Sequence, residues 1–417
     1  MRRTWSLIAL VIVVIAVVAV LRRRSGEASQ PSMVGDRLFD AVFARVRSSA
    51  VDPLDEGELY RRAAQGLIGE LEDPNAYLQL SGQPRPPAAD QPFPQGFFLD
   101  RRDGRAVVVA TVPGSPAEQA GVQPGDVLVG IDTTVINGSR LERAAALLAG
   151  PEGTRLTLRV RRGPAGLNPE LRRGPLPPIS PVSTTELGGG IARVRLARIG
   201  PGVADTLQTV VTRLKQQGIR SLVLDLRGSV QGGSALTDGT RIADLFLDRG
   251  SVLMVSRMRR ASGSESVTDQ SASEFSGMPL AVLIDGGTAG AAEVVAGALQ
   301  DHDRAIVLGS ESYGRGATWS SYSLGNGAVL TLTTALWLTP NGRQIQRQPD
   351  TATAASDSSS RPTVKSDGGR VLTGGGGIVP DKLIDDPGGE LVLAEARRIL
   401  MRASTPEQVF ALVLAPH

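Results

Sequence analysis

The sequence predicts a multidomain chain of mixed α+β and α/β class, and three observations point there. An apolar run, Trp5–Leu21, stands at one end with arginines on both sides. Two Pro/Gly-rich joints, Ser81–Pro94 and Gly163–Thr185, cut out a short segment rich in strand patterns. From Gly190 onward, apolar strand runs alternate with amphipathic helices, the signature of βαβ crossovers on a parallel or mixed sheet.

Composition narrows the function. At 417 residues and 41% hydrophobic content the chain can fill two or three cores. The pI of about 9.6 comes with a net charge of only +3 and reflects arginine in place of lysine. No basic patch is interleaved with aromatics, so a nucleic-acid partner is not expected. The absence of cysteine excludes disulfides, thiolate catalysis and cysteine metal sites. No cofactor or metal is expected.

Residues 1–30 read as a membrane anchor. The 17-residue apolar run, Trp5–Leu21, is just long enough to span hydrocarbon and long for a signal sequence. Gly26-Glu27-Ala28 is a small-x-small cleavage candidate, but Arg22–Arg24 separate it from the run. A cleaved signal and a buried soluble helix are the alternatives. Arginine at both ends leaves orientation open.

Residues 33–80 carry a helical pattern. Leu38, Val42 and Val46 share one face, and Leu59, Ala63, Leu67 and Leu71 share another. Asp52-Pro53 separates the two, and Asp73-Pro74 ends the second. After the first joint, residues 95–163 read as a strand (Val107–Val112), a turn with a short helix (Gly114–Gly121), a strand after Gly125, a helix (Arg140–Ala149) and a closing strand (Thr154–Arg161). The stretch Ser115-Pro116-Ala117-Glu118-Gln119-Ala120-Gly121 and the turn Gly125-Asp126-Val127-Leu128 resemble a PDZ domain. That resemblance implies a groove taking a peptide C-terminus by strand addition at Gln95, Gly96, Phe97, Phe98 and Leu99, with loop amides on the carboxylate. Phe97 and Phe98 are bulky enough to fill part of that pocket.

The third segment, 186–384, supplies strands at Gly190–Leu196, Ser221–Leu226, Pro279–Ile284, Ala305–Leu308 and Val329–Thr334. Helices fall at Val203–Gln217, Thr237–Phe246 and Ala291–Gln300. Residues 351–370 are polar and expected to be mobile, and 388–417 are expected to be helical, with an N-cap at Thr405-Pro406. Gly374–Gly377 leads into Ile378-Val379-Pro380-Asp381; a phosphate cradle is not expected there, since no helix or Lys-Ser/Thr follows.

Within this segment, Ile284–Ser320 and the turn Arg227-Gly228-Ser229-Val230-Gln231-Gly232-Gly233 are similar to the catalytic segments of the carboxyl-terminal processing peptidases, family S41. The helices before the first joint resemble that family's N-terminal segment. The resemblance implies an S41-type αβ core with a mixed sheet and a body outside the cytoplasm. It also implies a Ser–Lys dyad, but the matching positions differ. Gly290 stands at the nucleophile, Arg315 at the base, and Trp319 where a Gln often stands. Glu293 is retained and fits a capping box. Gly232, Gly233 and Ala291 would supply oxyanion amides, which substitution cannot remove.

These exchanges are chemically severe. Glycine cannot attack a carbonyl. A dyad lysine must be neutral, whereas arginine stays protonated in proteins. The chain's three lysines, Lys215, Lys365 and Lys382, lie in no glycine turn after a strand. A relocated triad would need His302 or His417. Ser271-Ala272-Ser273-Glu274 imitates the family motif but sits in a polar run, Ser262–Ser276, and reads as a surface loop. Arg315 either lines an anion-binding cleft or is exposed or paired with Glu311, the cleft then being filled by Trp319.

The expectation is a membrane-anchored, extracytoplasmic, PDZ-containing S41 relative that does not cleave peptides. It would bind protein C-terminal tails or unfolded envelope proteins, or act as a scaffold, with homo-oligomers a possibility. The anchor would make a single pass through the cell membrane, with the body on the periplasmic side. The alternative is an active C-terminal processing endopeptidase whose dyad lies elsewhere.

Overall fold

The computed structural model describes residues 33–414, apart from 53, 72, 74, 82–90, 103, 137–140, 231–235, 259–263, 348–360 and 387–388. The chain divides into two units, 1–71 and 72–417. The expected anchor, 5–21, lies outside the described residues. Among those residues no helix is long and apolar enough to cross a membrane.

Among the described residues the first unit holds a helix pair, α1 (Met33–Ser49) and α2 (Glu56–Gly69). Asp55 caps α2 by accepting the Glu58 amide at 2.9 Å. Glu58 hydrogen-bonds Arg61 and Arg62, which hold its carboxyl at about 2. The expected apolar stripes are present, and Phe43 meets Tyr60 at 4.5 Å between centroids. Leu59 is buried, whereas Leu38, Val42, Val46 and Leu67 stay exposed.

The second unit opens with β1 (Tyr77–Gln79), a strand where the sequence pattern reads helix or its end. The small β-rich domain follows: β2 (Phe97–Arg102), β3 (Arg105–Thr111), α3 (Pro116–Gln119), β4 (Val127–Ile131), β5 (Thr134–Val135), α4 (Leu141–Leu148), β6 (Arg155–Arg162), β7 (Ala165–Leu167) and β8 (Glu170–Arg172). Its antiparallel sheet runs β2-β3-β4-β6-β7, so β2 is an edge. In β6 the period of two buries Leu156, Leu158 and Val160 against Phe97, Leu128 and Leu148.

The remaining elements are β9 (Val182–Gly188), β10 (Ile191–Leu196), α5 (Val203–Gln216), β11 (Ser221–Asp225), α6 (Leu236–Asp244), β12 (Val252–Met258), β13 (Ser264–Thr268), β14 (Leu280–Ile284), α7 (Ala291–Asp301), β15 (Ile306–Gly309), β16 (Ala317–Gly325), β17 (Ala328–Leu338), β18 (Thr363–Lys365), β19 (Val371–Thr373), β20 (Lys382–Leu383), α8 (Glu390–Leu400) and α9 (Pro406–Leu414). The central sheet runs β20-β15-β14-β11-β10-β9, parallel except for β9. It is covered on both faces, which explains its unbroken apolar runs. Leu280, Val282 and Ile284 of β14 join the cluster with α5–α7, while Ala281 and Leu283 join the cluster with α8 and α9. A second, antiparallel sheet runs β1-β17-β12-β13, with β16 also on β17.

Two segments carry strands the sequence pattern does not show. The polar run Ser262–Ser276 holds β13 ahead of the Ser271–Glu274 loop, and every residue of that strand is exposed. In 361–370, part of the segment expected to be mobile, β18 pairs with β19, Thr363 opposite Thr373. Polar edge strands and short hairpins carry no apolar alternation, so periodicity does not find them.

Candidate active site

The strand β14 ends at Ile284, and a tight turn delivers Gly290 as the N-cap of α7. Asp285 ties this turn to the neighbouring one. Its Oδ1 accepts the amides of Gly228 at 2.9 Å and Gly287 at 3.0 Å, and the Thr288 hydroxyl at 3.1 Å. Burial pushes the Asp285 carboxyl up, against those donors. The Ala289 amide donates to Ser229 O at 3.0 Å. Residues after β11 and residues before α7 thus form one rigid rim. Gly232 and Gly233, expected as oxyanion donors, lie outside the described residues; Ala291 opens α7, fully buried.

Gly290 holds φ +63° and ψ −116°, a strand-to-helix elbow that L-residues adopt only under strain. Having no side chain, it makes only half of the expected capping box. The other half is intact, because its amide donates to Glu293 Oε2 at 2.9 Å.

Glu293 organises the site. Fully buried, it also accepts Ser312 Oγ at 2.5 Å, the Gly314 amide at 2.7 Å and the Arg315 amide at 2.8 Å. Burial pushes its carboxyl up, against the pull of these donors. One carboxylate therefore joins the nucleophile position to the base position. Trp337, also buried, closes the turn by donating Nε1–H to Arg315 O at 3.1 Å.

Arg315 is 6% exposed, and its Nη2 meets Asp100 Oδ2 of β2 at 2.6 Å. The guanidinium lies 5.3 Å from the centroid of the Tyr313 ring. Burial opposes its charge, but Asp100 and Tyr313 outweigh burial and hold its pKa above the ordinary value. Burial and the Asp100 carboxylate push the Tyr313 phenol up as well. The expected partner, Glu311, pairs instead with Arg347 at 3.2 Å and Arg361 at 2.8 Å. Arg315 is therefore neither exposed nor a free anion site; its charge is answered from the PDZ-like domain. Arg315 Nη1 is buried without a partner.

Trp319 is half-buried on β16, opposite Thr333. What packs at the site is the small domain. Phe98, Val109, Ala110 and Val112 cluster with Val230 and Ala289, with Ile179 and Tyr313 at the margin. The approach is close. A Cβ on Gly287 would stand 3.0 Å from Val109 O and 3.1 Å from the Gly228 Cα, so a side chain there would need this backbone to give by a few tenths of an ångström.

Asp100, Ser312, Tyr313, Trp337 and Asp285 escape sequence reasoning. For Asp100 a signal exists: it is two residues from Phe98 in an alternating strand, hence on the same face. For the others no local pattern marks the role.

The relocated-site candidates are occupied. His302 places Nδ1 against Asp367 and Nε2 against Val252 O, each at 2.7 Å, so neither nitrogen is free to serve a hydroxyl. His417 lies outside the described residues. Ser273 sits in a loop with its hydroxyl on Leu245 O at 3.4 Å. Lys215 and Lys365 are exposed, and Lys382 pairs with Glu395. Among the described residues no group of three or more His, Asp or Glu side chains is placed to hold a metal. In the expected peptide groove, Gln95, Phe97, Phe98 and Leu99 are all buried, and Gln95 donates Nε2–H to Leu148 O at 2.8 Å.

Known proteins carry the same plan. The sequence profile described as peptidase family S41 matches residues 190–353, and the PDZ profile matches 107–162. The carboxy-terminal processing protease CtpA of Bacillus subtilis is 26% identical over 75% of this chain and 68% of its own length. The carboxy-terminal-processing protease of Bartonella bacilliformis is 31% identical over 74% of this chain and 72% of its own. The chloroplastic carboxyl-terminal-processing peptidase 2 of Arabidopsis thaliana is 33% identical over 75% of this chain and 64% of its own. The solved photosystem II D1 C-terminal processing protease superposes with a TM-score of 0.66 at 25% identity, covering 89% of this chain and 92% of that one. The chain belongs to peptidase family S41, with the PDZ and core domains of its carboxy-terminal processing proteases.

Proposed function

We propose that this protein has kept the architecture of a processing protease without its chemistry, and that it binds protein C-terminal tails rather than cleaving them. One observation carries the reading. The nucleophile position is Gly290, and the base position is Arg315 in a buried ion pair with Asp100. A dyad needs a hydroxyl and a neutral amine; Gly290 offers no hydroxyl, and the Arg315 guanidinium stays charged. The relatives' names describe proteases acting at carboxyl termini, which supports protein tails as the ligand class.

The apolar run Trp5–Leu21 supports an anchor in the cell membrane, with the body on the periplasmic side. Scaffolding of unfolded envelope proteins and self-association belong to the same proposal. The relatives' names also favour the second reading, an active endopeptidase with an unrecognised site.

Incubation of the purified protein with casein and with a serine-directed fluorophosphonate separates the two. The expected result is no cleavage and no labelling. Robust cleavage that survives removal of contaminating proteases would overturn the proposal.

A further inference from the structure

The PDZ edge strand already has an occupant. Val112 N–H donates to Gly96 O at 2.7 Å, and Phe98 stands opposite Ala110. By strand alternation the N–H and C=O of Phe97 point the other way, to the edge where a tail would add. On that edge Phe97 O accepts the Phe93 amide at 2.8 Å, and the Gly96 amide donates back to Phe93 O at 2.8 Å. Those are the bonds a bound tail would make: its last N–H onto Phe97 O, its carboxylate onto the loop amide.

The local sequence builds this contact. Phe93-Pro94-Gln95-Gly96 has Pro at the second turn position and Gly at the fourth, the preferences of a type I turn. Gly96, at φ +84°, then forms the left-handed bulge of a three-residue hairpin loop. Phe93 is thereby folded back onto its own strand. Its ring stacks on Phe97, centroids 5.7 Å apart and planes 12° from parallel. It is 2% exposed and belongs to the same buried cluster as Leu148 of α4, the helix that flanks β2.

We propose that Phe93 is an internal occupant of the PDZ groove, and that the partner which displaces it is a tail ending in an aromatic residue with a free carboxylate. The aromatic preference follows from the pocket, which already holds a benzyl group against Phe97. The inference rests on the reading of this groove as a tail site. Displacement lowers apparent affinity by the fraction of time the groove stands open, so removing the occupant strengthens binding.

The test uses the full chain and a short fluorescent peptide ending in Leu-Phe, with its amidated twin and a version ending in Leu-Gly. The Phe93→Ala variant is expected to bind the free-acid Leu-Phe peptide roughly tenfold or more tightly than the parent protein. The twin and the Gly-ended peptide should bind weakly to both. In the parent protein, the Phe93 amide should exchange with solvent at least tenfold faster when peptide is saturating, because Phe97 O has changed donor. This second readout stands alone if the variant fails to fold. Equal affinity for both proteins, with the Phe93 amide still protected in the complex, overturns the occupant proposal and leaves tail binding intact. No binding by either protein, with β3 amides protected, removes the tail site itself and the proposal with it.

Discussion

Asp100 and Arg315 join two domains at the point where catalysis would occur. They are 215 positions apart in the chain, yet Nη2 and Oδ2 meet at 2.6 Å. The arginine stands at the family's base position and the aspartate on the PDZ edge strand. The exchange of lysine for arginine therefore removes a base and also supplies a planar donor for a carboxylate in the other domain. Asp100 shares its strand face with Phe98, so the ion pair and the apolar contact of Phe98 with Val230 and Ala289 hold the same surfaces together.

Breaking this pair from one side should be costly. Asp100→Ala leaves a buried guanidinium unpaired and is expected to cost about 3–5 kcal/mol. Asp100→Ala combined with Arg315→Met should recover most of that loss, since an apolar pair of similar volume is often neutral. Urea unfolding of the single and double variants checks the cycle. Additive losses would show that the residues do not depend on each other.

The elbow at Gly290 makes a second prediction. Its φ of +63° and ψ of −116° suit glycine alone. Gly290→Ser and Gly290→Ala should each destabilise the protein by about 1–3 kcal/mol through backbone strain, with or without a hydroxyl. Thermal melting of both variants is the measurement. An unchanged midpoint in the alanine variant would mean that the turn relaxes.

Much of the architecture is legible in the sequence, and the reasons are physical. Leu280–Ile284 is a buried strand because parallel sheets covered on both faces need unbroken apolar runs. Arg155–Arg162 shows its period of two because one face only is buried. Gly290, Glu293 and Arg315 are found because the segments that carry them resemble the family's motifs residue by residue. The partners are not legible. Asp100, Trp337 and Ser312 reach the site from separate elements, and pairing between elements leaves no mark on either local pattern. Phe93 is intermediate: its Pro-Gln-Gly sequel announces a turn, but not what the turn folds onto.

Acidity offers a third prediction. Asp269 is 2% exposed, and burial with the neighbouring carboxylates of Asp244 and Asp248 pushes its carboxyl up to about 6. A folded-state pKa above the ordinary 3.8 favours the protonated fold, so this contribution is full below that value and is lost as pH rises through about 6. Other carboxylates titrate in the same range, so the measurement is a difference. The urea midpoint of the parent protein minus that of Asp269→Asn should fall between about pH 4 and about pH 7. A constant difference would show that Asp269 ionises as it does in the unfolded chain.

Restoring the family's residues should not be enough to restore its chemistry. The triple change Gly290→Ser, Arg315→Lys and Trp319→Gln returns a hydroxyl, an amine and an amide to their positions. The amine would still face Asp100, and an opposite charge at hydrogen-bond distance keeps an ammonium protonated. A protonated amine cannot take the serine proton, so the triple variant is expected to stay near background on casein. Adding Asp100→Ala removes that hold while Glu293 keeps both turns in place, and burial then favours the neutral amine. The quadruple variant should therefore cleave at least about tenfold faster than the triple, the difference expected for about one pKa unit or more. It should also label with a fluorophosphonate where the triple does not. Equal activity in the two would mean that Asp100 does not control the base position. If neither is active although both fold, the block lies in the small domain packed at the site, where Phe98 and Val109 crowd Ala289.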